Sequence, residues 1–201
     1  MEEKFLTLKS KVNINCTLCD KCCQNRGDIK LTPINVIEIA KFLKITPNEF
    51  IEKYTHKVSD DSIEIAINAE GDKGFCVFNT EGTYKCKIQK VKPVQCVVFP
   101  LVPVDLSRDL FINTNQCPID TNKITTVNKW FNGNNNIYKK HKEIYIKWID
   151  FLEEIESKWP NLPKETKETI NNLAFRNYSV KDGKKQVLER LKQARMEIYK
   201  K

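Results

Sequence analysis

Cys16-Thr17-Leu18-Cys19-Asp20-Lys21-Cys22-Cys23 spells C-x-x-C-x-x-C-C, four thiols within eight residues near the start of a 201-residue chain. Cys76, Cys86, Cys96 and Cys117 follow and complete the set of eight cysteines. Thiolates are strong ligands for zinc and for iron–sulfur clusters, and both commonly take four protein ligands. Eight cysteines therefore divide into two sites of four, or one site of four with spares. This pattern makes metal the organiser of the N-terminal part of the fold.

The spacing Cys16-x-x-Cys19-x-x-Cys22 is the three-cysteine loop that wraps one corner of a [4Fe–4S] cubane, with the fourth ligand coming from elsewhere. Cys117-Pro118 has the form of such a remote ligand. A simple zinc knuckle needs only one C-x-x-C from each arm, so the triple spacing favours iron–sulfur over zinc. Cys22 and Cys23 are adjacent, and their side chains are expected to diverge and serve different sites. Nine residues separate Cys76 from Cys86, and nine separate Cys86 from Cys96. Which late cysteine joins which site does not follow from spacing.

Outward from the cysteines, the chain shows helix signals. Thr32-Pro33 reads as N-cap and first helical residue, and Val36, Ile37, Ala40 and Leu43 give an apolar face. Thr46-Pro47-Asn48-Glu49 is a capping box opening a second helix through Phe50, Ile51 and Tyr54, packed on the first as an αα-hairpin. Residues 62–112 read as β. Ser62–Asn68 alternates, Phe75–Phe78 and Tyr84–Ile88 are short strands around a turn at Asn79–Gly82, and Val97–Phe99 or Val102–Val104 pairs with Leu110–Ile112. From about Thr126 the pattern is helical. Ile137, His141, Ile144, Trp148, Phe151, Ile155 and Trp159 mark one long helix ended by Pro160, with further helices over Glu165–Phe175 and Val180–Tyr199. The expected fold is α+β. A cysteine-cluster metal-binding domain of short helices and small antiparallel strands spans 1–120, and a helical extension spans 121–201.

Net charge is +8, and from Lys139 onward 16 Lys or Arg face 10 Asp or Glu. The simplest reading is a solvated helical surface that can meet an acidic partner. The acids are interspersed and no nucleic-acid motif is present, so nucleic acid is disfavoured. Met1–Lys9 begins with acids and lacks the apolar run of a signal peptide, and no stretch approaches the roughly 18–20 apolar residues of a membrane span. The expectation is a cytoplasmic protein, away from membranes, with reduced thiols rather than disulfides. The chain has six glycines, no phosphate loop and no dinucleotide fingerprint. His56 reads as a surface residue and His141 as a core-edge residue. Trp130, Trp148 and Trp159 read as packing residues. No catalytic residue is legible.

The order C-x-x-C-x-x-C-C, then Leu31-Thr32-Pro33, then Ile45-Thr46-Pro47-Asn48-Glu49-Phe50, resembles the YkgJ-type cysteine-cluster family, whose domain is described as zinc- or iron-chelating. The likeness continues through Phe75–Phe78, Tyr84–Ile88, Lys92–Pro100 and Cys117-Pro118, over about residues 13–120, and takes in all eight cysteines. It implies Cys16, Cys19, Cys22, Cys23, Cys76, Cys86, Cys96 and Cys117 as metal ligands. The family is often labelled an iron–sulfur oxidoreductase without a defined substrate. The implied cofactor is thus an iron–sulfur cluster of the 4Fe-4S kind, or zinc, and the implied role is redox or support of a modification enzyme with a protein or redox partner. Zinc would instead imply a structural or partner-recognition module. Lys92 and Val97 stand where the family usually has arginine; Lys92 keeps the charge without the bidentate fork.

Overall fold

A computed structural model of the chain describes residues 5–14, 21–24, 29–71, 74–80, 85–113, 124–132 and 136–200. The fold is α+β, built from helices and short antiparallel strand pairs. It divides into two compact units, residues 1–27 with 69–142 and residues 28–68 with 143–201. The division falls inside the long helix Ile137–Glu156.

The first unit contains the described cysteines. Among the described residues its strands are two to five residues long and pair in twos, with Leu6 bridging to Phe111 besides. Lys11–Asn13 pairs with Ile124–Thr126, Ala69–Glu70 with Phe75–Cys76, Asn79–Thr80 with Lys85–Cys86, and Leu101–Asp105 with Leu110–Asn113. Gly71 and Gly74 close the Ala69–Cys76 hairpin with φ of 72° and 56°, values open to glycine at little steric cost. Pro103 lies where the last ladder shifts register, a position that spares a strand its missing N–H. Beneath the ladders lie Phe78, Ile88, Leu101, Phe111, Phe131 and Tyr138, all buried. The Phe111 and Phe131 rings meet edge to face at 5.1 Å between centroids.

The second unit is mainly helical. Pro33–Leu43 and Pro47–Tyr54 pack as the expected αα-hairpin. Lys44, at φ 61°, ends the first helix in the left-handed conformation. The Thr46 hydroxyl accepts from the Glu49 N–H at 3.2 Å, and the Glu49 carboxylate accepts from the Thr46 N–H at 2.7 Å. Lys164–Phe175 and Lys184–Glu197 pack on each other, and Ile170, Phe175, Val187 and Leu191 are buried. Trp148 stacks on Phe151 and meets Phe175 edge to face.

Several sequence expectations need correction. Val94–Val98 is a helix, because Pro93 starts it and Val94, Val97 and Val98 bury one face. Asn79–Thr80 is a strand paired with Lys85–Cys86, preceded by a turn at Val77–Phe78; Glu81 and Gly82, the rest of the expected turn, lie outside the described residues. The long helix stops at Glu156, before Pro160, and Trp159 is buried in a 3-10 turn beyond it. The last helix begins at Lys184, after Gly183. Among the described residues, no helix is long and apolar enough to cross a membrane.

Candidate metal centre

Cys22 and Cys23 lie on a 3-10 turn, Lys21–Cys23, with their sulfurs 3.9 Å apart. They do not diverge as adjacency suggests: the tight turn brings both Sγ atoms to the same side. Cys76 ends the strand Phe75–Cys76, and Cys86 ends Lys85–Cys86. After each, the chain turns back over its own sulfur. The backbone N–H groups of Phe78 and Asn79 favour the thiolate of Cys76, and the N–H of Ile88 favours that of Cys86. Phe78 and Ile88, two residues beyond each cysteine, are both 2% exposed, so buried side chains pin the turns that aim these donors. Cys96 lies in the helix Val94–Val98, its N–H held by the Pro93 carbonyl at 2.9 Å.

All five of these thiols are half-buried and belong to the first unit. Their charges act on one another. The Cys23 thiol is pushed far up by its hydrogen bond with Cys22, then by burial and by the charges of Cys22, Cys76 and Cys96. Burial raises Cys76 to about 11 against the pull of the Phe78 and Asn79 N–H groups, and Cys86 and Cys22 add to the rise. Cys86 is raised by burial, opposed by the Ile88 N–H and the Lys92 ammonium. Cys23, Cys76 and Cys86 all resist ionising without a compensating charge. Backbone donors aimed at sulfur nevertheless favour the thiolate. A bound cation resolves this conflict, and the all-sulfur donor set suits zinc or iron.

Cys16, Cys19 and Cys117 lie outside the described residues. Among the described residues no group of three or more His, Cys, Asp or Glu side chains forms a ready metal cage. His56 is exposed on a strand of the other unit, its Nδ1 3.0 Å from the Asn68 Oδ1. His141 is buried in the long helix. The Trp130 indole N–H donates to the Phe99 carbonyl at 3.2 Å, a packing role like that of buried Trp148 and Trp159. Sequence reasoning missed the backbone donors at Phe78, Asn79 and Ile88. Their signal was present: Cys76-Val77-Phe78 and Cys86-Lys87-Ile88 repeat Cys-x-apolar.

No solved structure matches this chain. A family model, CxxCxxCC, described as "Putative zinc- or iron-chelating domain", matches residues 15–134. That span runs from just before the first cysteine to beyond the last and takes in all five described thiols; the chain belongs to the CxxCxxCC family.

Proposed function

We propose that this chain binds metal through thiolates alone, with Cys16, Cys19, Cys22, Cys23, Cys76, Cys86, Cys96 and Cys117 as the ligand pool, and that Cys22 and Cys23 hold one and the same ion. The carrying observation is the 3.9 Å between their sulfurs. In a tetrahedral thiolate site with metal–sulfur bonds of about 2.3 Å, neighbouring sulfurs stand about 3.8 Å apart. The thiolates of an iron–sulfur cubane cap different irons and stand farther apart. The separation therefore supports a single zinc or iron ion at this pair. The protein then acts as a metal-organised recognition module, or as a one-electron carrier if the ion is iron.

The chain's own residues prepare the site. N–H groups of Phe78, Asn79 and Ile88 favour the thiolates of Cys76 and Cys86, and Lys92 offsets negative charge at Cys86. Metal uptake releases the thiol protons to solvent. In functional terms residues 1–120 carry every thiol and residues 121–201 none. Persistent free thiols fit a reducing compartment such as the cytoplasm.

A second reading is favoured by the Cys16-x-x-Cys19-x-x-Cys22 spacing and Cys117-Pro118. It is an iron–sulfur cluster of the 4Fe-4S kind serving a redox or modification enzyme. Anaerobic purification with zinc, iron and acid-labile sulfide analysis and an ultraviolet–visible spectrum separates the two. Bound metal without sulfide supports the single-ion reading. A brown protein with near-equal iron and sulfide, bleached by dithionite, overturns it in favour of the cluster.

A further inference from the structure

From Lys85 to Val104 the chain has four lysines and no aspartate or glutamate, and Cys86 and Cys96 lie in the same stretch. Lys85, Lys87 and Lys90 are exposed, while Lys92 is half-buried and acts on Cys86. Among the described residues none of the four is ion-paired. The cations of the C-terminal helices are largely committed. Lys184 pairs with Glu143, Arg176 with Glu52 and Arg195 with Glu154. Arg190 donates to the carbonyls of Asn172, Arg176 and Asn177. Among the described residues other lysines, Lys139, Lys140, Lys181 and Lys192 among them, are also without an ion pair, but residues 85–104 set theirs beside two thiols in a stretch with no acid.

Lys92 serves the centre, because a half-buried ammonium beside Cys86 offsets thiolate charge. Lys85, Lys87 and Lys90 point to another use. They flank Cys86 and its turn, are exposed, and among the described residues make no ion pair. We propose that Lys85, Lys87 and Lys90 form a docking surface for an acidic protein partner at the edge of the thiolate centre. The proposal rests on the metal reading above for the nearness of partner to metal. An acidic protein is the occupant that fits. The segment is too short to track a phosphate backbone, and residues 85–98 contain no aromatic side chain on which a base could stack.

The test measures binding of fluorescein-labelled poly-L-glutamate to the full chain, purified anaerobically, by anisotropy at low and high sodium chloride. Zinc and iron are counted in every variant. The combined Lys85→Glu, Lys87→Glu and Lys90→Glu variant is expected to weaken binding about tenfold or more, and salt to abolish it. A helix control, Lys181→Glu with Lys185→Glu and Lys192→Glu, is expected to change binding about twofold or less, as scattered rim charges do. Equal weakening by the control, no weakening by the first set, or tighter binding of a single-stranded oligonucleotide overturns the proposal. If the glutamate set loses metal, the set Lys85→Gln, Lys87→Gln and Lys90→Gln decides. Weaker binding with metal retained supports docking; loss of both overturns it, since the lysines then serve the centre alone. A metal-free wild-type chain that still binds through these lysines sinks the metal reading and leaves the docking surface standing.

Discussion

Cys22 and Cys23 are neighbours in the chain, and their 3.9 Å sulfur separation makes a sharp claim at the scale of single residues. If they share an ion, Cys22→Ser and Cys23→Ser lose the same metal. Elemental analysis should then show equal deficits in the two variants, and unequal deficits would return them to separate sites. Ile88 and Phe78 act one step back from the sulfurs. Each is buried, and each holds the turn whose N–H groups reach a cysteine. Ile88→Ala should cost about 2–5 kcal/mol and Phe78→Ala about 3–5 kcal/mol, the range for emptying a packed core position. Urea unfolding measures that cost. Transfer of metal to a colorimetric chelator should also quicken in both variants, and unchanged transfer would mean the turns do not hold the ligands. Metal chemistry was legible at this scale because a cysteine's ligand character belongs to its side chain. The backbone donors were not, because they depend on how the chain turns after the sulfur.

Among the elements, the helix pair of the second unit was the easiest to read. Thr32-Pro33 and Thr46-Pro47-Asn48-Glu49 place helix starts by hydrogen bonds that span only three residues. Thr46→Ala should cost about 1 kcal/mol in urea unfolding, as loss of an N-cap does. The Glu49 carboxylate is held below its ordinary value of 4.5 by the Thr46 N–H and hydroxyl. Its contribution is therefore present above that ordinary value and fades as pH falls through the depressed one. The stability gap between wild type and Glu49→Gln should stay constant near neutrality and close at acid pH; a gap that widens on acidification would contradict this account. Val94–Val98 was harder. Its three valines suggest a strand, yet their burial at i, i+3 and i+4 is that of a helix opened by Pro93. Over five residues the two periods cannot be told apart by pattern.

For the whole molecule, the strands of the first unit are too short and too seldom paired to bury much surface by themselves. Structural zinc in finger peptides contributes roughly 10–16 kcal/mol of apparent folding energy, enough to decide whether such a unit folds. Stripping the metal under reducing conditions should therefore remove one calorimetric transition. The helical circular dichroism of the second unit, with its own core of Trp148, Phe151, Phe175 and Leu191, should largely persist. A single unchanged transition would show that metal does not organise the fold. The amino-acid sequence by itself determined the α+β class, the capped helices and the sulfur chemistry, since each follows from side-chain identity or from bonds between near neighbours. Only the tertiary structure decided that Lys11–Asn13 pairs with Ile124–Thr126, and that the charges of Cys22 and Cys23 and those of Cys76, Cys86 and Cys96 are felt across the first unit. Those contacts close loops of fifty residues or more, and no local pattern records which distant segment compensates the entropy of closing them.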